Sequence, residues 1–66
     1  MKHYLFKELE SGERFLVGAD ELSDAREIAY DVCNKIILKN RLETYKLFWI
    51  CRLTDEEAEA IGLDEY

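Results

Sequence analysis

Ser23-Asp-Ala-Arg-Glu-Ile-Ala-Tyr-Asp-Val-Cys-Asn-Lys-Ile-Ile37 is the stretch whose reading decides the fold. Its apolar residues fall at Ala25, Ile28, Ala29, Val32, Cys33, Ile36 and Ile37, three and four apart, along one face of a helix. Arg26, Glu27, Asp31, Asn34 and Lys35 take the opposite face. Ser23 reads as the N-cap, and Asp24 sits in the first turn, where the helix dipole favours an anion. Asn40 reads as the C-cap, and Lys35, Lys39 and Arg41 suit the negative end. A helix with one apolar face must bury it against another element. The segments on either side read as strands.

Upstream, residues 3–9 (His-Tyr-Leu-Phe-Lys-Glu-Leu) read as an aromatic-rich strand and 14–19 (Arg-Phe-Leu-Val-Gly-Ala) as a second strand. The turn Glu10-Ser11-Gly12-Glu13 joins them, with Gly12 free to take positive φ, which predicts an antiparallel hairpin. Downstream, residues 45–53 (Tyr-Lys-Leu-Phe-Trp-Ile-Cys-Arg-Leu) form a third strand. Strict alternation points Tyr45, Leu47, Trp49, Cys51 and Leu53 one way and Lys46, Phe48, Ile50 and Arg52 the other. Large apolar groups on both faces predict a central strand covered on both sides. Thr54-Asp-Glu-Glu57 is a capping box for a short helix over about 55–61, closed by Gly62 in αL with Leu63 folding back toward Ala58.

The expected fold class is therefore α+β: one domain over residues 1–66, a three-stranded sheet made of a β-hairpin, a long helix and a third strand, then a short C-terminal helix, in the order ββαβα. A helix joining two parallel strands of one sheet makes a right-handed crossover. The third strand is expected to pair parallel to the first, giving the order 2-1-3 or its neighbour-swapped form. Phe48 and Ile50 are then bare unless the C-terminal helix or a second copy of the chain covers them.

Size and composition bound the function. With 66 residues the chain is one domain at most, and a chain of this size buries only about 60% of its unfolded surface. An apolar content of 48% suffices for a core. A pI near 4.6 argues against gripping nucleic-acid phosphates or anionic membranes. No run approaches the roughly 20 apolar residues of a membrane span, and the N-terminal apolar run is too short for a signal peptide. Two cysteines without a signal peptide predict free thiols in a reducing, cytoplasmic setting, with Cys33 and Cys51 as small core hydrophobes.

Chemistry-bearing patterns are scarce. The single histidine, His3, has no Ser or Cys beside it and reads as an exposed strand residue rather than a general base. Cys33, Cys51 and His3 lack the spacing and the fourth ligand of a zinc site, so no metal is expected. A Cys33–Cys51 disulfide would need Cα atoms within about 7 Å. Glu56 and Glu59 share a helix face, but paired-acid hydrolysis needs a deep cleft that so small a domain does not build. No glycine-rich phosphate loop is present. The expectation is a protein that is not an enzyme and uses no cofactor.

Charge is the informative feature. From Met1 to Leu53 nine acids face nine bases, whereas Thr54 to Tyr66 holds six acids and no base, so the last segment carries the whole net charge of −6. One use of those acids is to complement the positive end of the last helix and keep the chain soluble. The other is a negative stripe, Asp55, Glu56, Glu59, Asp64 and Glu65, that docks on a basic groove. Tyr4, Phe6, Phe48 and Trp49 loosely resemble the stacking platforms of RNA-binding sheets, but without surrounding basic charge.

The strand-then-helix passage Phe15 to Ala29, F-L-V-G-A-D-E-L-S-D-A-R-E-I-A, in an acidic chain of this size, resembles small phage-encoded inhibitors of bacterial RNA polymerase. Small inhibitors of CRISPR nucleases likewise use acidic α+β domains. The resemblance covers pattern and size, carries over no functional residue, and implies a protein partner with a basic surface, such as a nucleic-acid enzyme. The leading expectation is a non-enzymatic protein-binding module, an inhibitor or adaptor, with no direct nucleic-acid or membrane binding expected. The alternative is a structural homodimer packing through Phe48 and Ile50 on the sheet face.

Overall fold

A computed structural model describes residues 1–37 and 46–66. Asn40 as helix cap, Lys39 and Arg41 at the dipole's negative end, and Tyr45 at the start of the third strand lie outside the described residues.

Strands β1 (Lys2–Glu8) and β2 (Arg14–Ala19) form the expected antiparallel hairpin, in register from Lys2 opposite Ala19 to Lys7 opposite Arg14. Gly12 takes φ +75° in the turn, and its N–H donates to the Glu8 carbonyl at 2.8 Å. That left-handed backbone is cheap only for a residue without Cβ. Helix α1 (Leu22–Val32) follows and runs into a π-helical turn, Cys33–Ile37. Its N-cap is Glu21, two residues ahead of Ser23, and no side chain caps it. The earlier start brings Leu22 against the core, and that packing outweighs the Ser23 cap hydrogen bond. Ala25, Ala29, Val32 and Cys33 are buried as the periodicity predicts, and the two alanines let helix and sheet approach closely.

Strand β3 (Leu47–Leu53) pairs with β1 as expected from the 2-1-3 order, but it runs antiparallel to it. The crossover connection through α1 links β2 to β3. Those two strands are parallel to each other, with β1 between them. The crossover rule governs β2 and β3, and not β1 and β3 as expected from the sequence. β1 is therefore the central strand and β3 lies at the edge, which explains why β3 alternates between half-buried and exposed residues.

A second departure lies inside β3. Leu5 faces Cys51, yet the next residue, Phe6, faces Trp49, so Ile50 is the extra residue of a β-bulge. One inserted residue reverses the phase of everything beyond it. Leu47 and Trp49 consequently pack with α1, whereas Cys51 and Leu53 pack on the opposite face. Cys33 and Cys51 sit in different cores on the two sides of the sheet, both as free thiols.

Helix α2 (Asp55–Ile61) covers that second face through Ala58, over Leu5 and Leu16. Its capping box is formed: the Glu57 N–H donates to Thr54 Oγ1 at 3.2 Å and the Thr54 N–H donates to Glu57 Oε1 at 3.1 Å. Gly62 closes it at φ +69°, and Leu63 joins Ala58 in the same cluster. The last residues then run beside β2. The Leu16 N–H donates to the Asp64 carbonyl at 2.8 Å, the Tyr66 N–H to the Leu16 carbonyl at 2.9 Å, and the Gly18 N–H to the Tyr66 carbonyl at 2.9 Å. This parallel pairing, centred on Leu16 and Glu65, caps the outer edge of β2.

Candidate functional site

The acidic C-terminal segment meets the N-terminal strand at His3. Alternation along β1 puts Tyr4 and Phe6 toward α1 and His3, Leu5 and Lys7 toward α2. The capping box fixes where α2 begins, so Asp55 arrives over His3, and its Oδ1 lies 2.6 Å from Nε2. The tail pairing with β2 brings Glu65 to the other side of the ring, against Nδ1. The imidazole side chain is 14% exposed and Glu65 32%, whereas Asp55 remains 88% exposed. His3 is thus a clamped, largely covered group and not the exposed strand histidine expected. The contact spans 52 and 62 residues of chain, which no local pattern reveals.

A carboxylate on each ring nitrogen favours the imidazolium, the form in which both N–H groups donate. The hydrogen bond to Glu65, then that to Asp55, raises the pKa above 6.5 against the smaller opposing effect of burial. A histidine so held has no free lone pair with which to take a proton. The two carboxylates lie on opposite sides of the ring, so they cannot converge with it on one metal ion. Among the described residues no cluster of three or more His, Cys, Asp and Glu has the geometry to hold a metal. The clamp borders an open cleft of about 520 Å³, whose lining also includes Leu16, Ala58 and Glu59.

Glu8 and Cys33 are also buried, and both serve structure. Glu8 has no exposed surface. Its Oε2 accepts the Lys46 N–H at 2.8 Å and its Oε1 the Ser11 N–H at 2.7 Å, tying the hairpin turn to the start of β3. Burial pushes its carboxyl upward, but the N–H donors of Lys46, Ser11 and Glu10 outweigh this and hold it below the usual carboxylate value. Sequence reasoning missed Glu8, although a signal existed: it continues the Tyr4, Phe6 alternation into the core. The Cys33 thiol is pushed up to about 11 by burial and by the charge of Glu8, which makes it a poor nucleophile.

The five acids of the expected stripe therefore separate. Asp55 and Glu65 are bound to His3, and Glu56, Glu59 and Asp64 stay exposed with no ion pair among the described residues; Glu57, outside the stripe, is spent on its cap. The expected apolar face also divides. Phe48 is 53% exposed and paired with Lys7, on the α2 side. Arg52 pairs with Tyr4 on the α1 side, beyond the bulge, and Ile50, the bulge residue, is 39% exposed. No helix among the described residues is long and apolar enough to cross a membrane. No family model matches the chain, and neither does any curated protein or solved structure.

Proposed function

We propose that the chain is a non-enzymatic protein-binding module that presents an acidic surface, Glu56, Glu59 and Asp64, to a partner with a basic surface. The carrying observation is the division of labour among the C-terminal acids. His3 holds Asp55 and Glu65, and with them the start of α2 and the tail, while Glu56 and Glu59 stay exposed on a helix capped at both ends and Asp64 stays exposed just beyond it. A surface fixed before contact loses little conformational entropy on binding, and its charge steers encounter with a cationic groove. The partner class that fits is a nucleic-acid enzyme whose Lys and Arg side chains grip phosphates. Occupying those side chains with carboxylates would inhibit it, as the resemblance to small phage inhibitors implies. Affinity capture from lysate across a salt series tests this. Capture should fall with salt and weaken sharply in a Glu56→Lys/Glu59→Lys chain; undiminished capture by that chain sinks the reading.

The second reading, a homodimer packing through the exposed Phe48 and Ile50, has its own support in the 53% exposure of Phe48. Sedimentation at rising concentration separates it from the first, since a strict monomer removes it.

A further inference from the structure

The α2 side of the sheet is built in three cross-strand rows, and α2 reaches only two of them. Gly18, His3 and Leu53 form the first row, Leu16, Leu5 and Cys51 the second, and Arg14, Lys7 and Phe48 the third. Seven residues of helix span about 10 Å. That length covers the first two rows and leaves the third open, with Arg14 exposed and Phe48 53% exposed. Leu9, 50% exposed, lies at the same end. Neither Lys7 nor Arg14 has an ion-pair partner among the described residues. In a chain of net charge −6 this row is a local patch of opposite sign beside an apolar ring.

We propose that this row receives the acidic face of α2 from a second copy of the chain, and that the exchange is reciprocal, giving a two-fold dimer. The inference deepens the homodimer reading and shares Glu56 and Glu59 with the leading one. Charge complementarity selects the occupant. Two copies at −6 repel at long range, so association requires a contact that sets anion against cation locally. Glu56 and Glu59 share one helix face by their spacing, and both are exposed. Lys7 and Arg14 are cross-strand neighbours on one sheet face. A two-fold axis places each helix over the other copy's bare row, so the same two patches are satisfied twice and the assembly closes. Phe48 is covered in the same step, against the apolar parts of the incoming helix.

A charge swap tests this directly. Every substituted position except half-buried Lys7 is exposed, and circular dichroism verifies the fold of each chain. The wild type should self-associate in sedimentation equilibrium, more weakly as salt rises. Lys7→Glu/Arg14→Glu alone and Glu56→Lys/Glu59→Lys alone should each weaken self-association about tenfold or more. Mixed in equal amounts they should form a heterodimer within about threefold of wild-type affinity, because both contacts then regain opposite signs. Phe48→Ser should weaken the wild-type dimer while leaving all charges in place. A wild type that stays monomeric at the highest concentration it tolerates overturns the proposal, as does a mixture no tighter than its components. The leading reading is scored separately: the Lys7→Glu/Arg14→Glu chain keeps Glu56 and Glu59, so it should still capture a basic partner whether or not the dimer exists.

Discussion

Replacing His3 with Gln removes the one cation among the described residues that pairs with Asp55 and Glu65, and leaves the tail held by its backbone pairing with β2, the packing of Leu63 and the Phe15–Tyr66 ring contact. The sign of the resulting pH dependence follows from the direction of the shift. The folded pKa lies above 6.5, so the clamp contributes its full stability below that value and loses it as pH rises through the raised folded value. Its size is limited by exposure. Asp55 is 88% exposed, which puts that half of the clamp among surface pairs, worth about 0–1 kcal/mol. Glu65 is more enclosed and is the larger cause of the shift, so the clamp as a whole is worth about 1 kcal/mol. For a domain of this size that is roughly 4–8 °C in melting temperature. Thermal unfolding by circular dichroism at low salt should show the wild type gaining stability from alkaline toward mildly acidic pH, down to where carboxylates begin to protonate. His3→Gln should be flatter over the same window. The comparison cancels the N-terminal amine, which lies 3.7 Å from Asp20 and is present in both chains. Equal slopes in the two proteins would refute the clamp.

Two more tests concern the buried groups. Glu8→Gln sets an amide N–H₂ against a backbone N–H that the carboxylate now accepts, and should cost about 1–3 kcal/mol, read as a lower urea midpoint; an unchanged midpoint contradicts the assigned role. Because the folded Glu8 pKa is lowered, its contribution is present above 4.5 and fades as pH falls through the folded value, so acid unfolding of the wild type should be steeper than that of Glu8→Gln. With its pKa at about 11, Cys33 should react with a thiol reagent far more slowly than half-buried Cys51 in the folded chain and at a similar rate in denaturant; equal native rates would place Cys33 outside the core.

The elements were legible because each is announced by residues close together in sequence. Gly12 marks the hairpin turn, Ala25, Ala29 and Val32 mark a helix face, and Thr54 with Glu57 marks the start of α2. What failed depends on contacts far apart in the chain. The bulge at Ile50 has no local signature in an apolar run where either phase buries something. The direction of β3 turns on which two strands the crossover joins, and β1 intervenes between them. The start of α1 moved because Leu22 gains more by packing than Ser23 gains by capping. The candidate site was half legible for the same reason. Its acids were visible as a composition change, but their sorting into bound and exposed sets depends on His3 at the other end of the chain.

That sorting changes what the net charge means. A domain this small has little apolar surface to bury, and domains of its size often add a staple to compensate. Here polar groups take that place: Glu8 ties the hairpin turn to β3, His3 ties β1 to α2 and the tail, and the tail itself completes β2. The first two of these contacts use acids that a charge count leaves open to a partner, whereas the tail pairs through its backbone. The surface open to recognition is therefore smaller and more sharply placed than the sequence charge of −6 suggests. It is also more rigid, because the acids that fasten α2 at Thr54–Asp55 and again at Glu65 bracket the exposed Glu56 and Glu59 between two fixed points. Loosening either point should weaken recognition by α2 without touching a contact residue. His3→Gln should thus lower partner capture or self-association most at mildly acidic pH, where the wild-type clamp is closed, and should converge on the wild type as pH rises and the wild-type ring loses its proton.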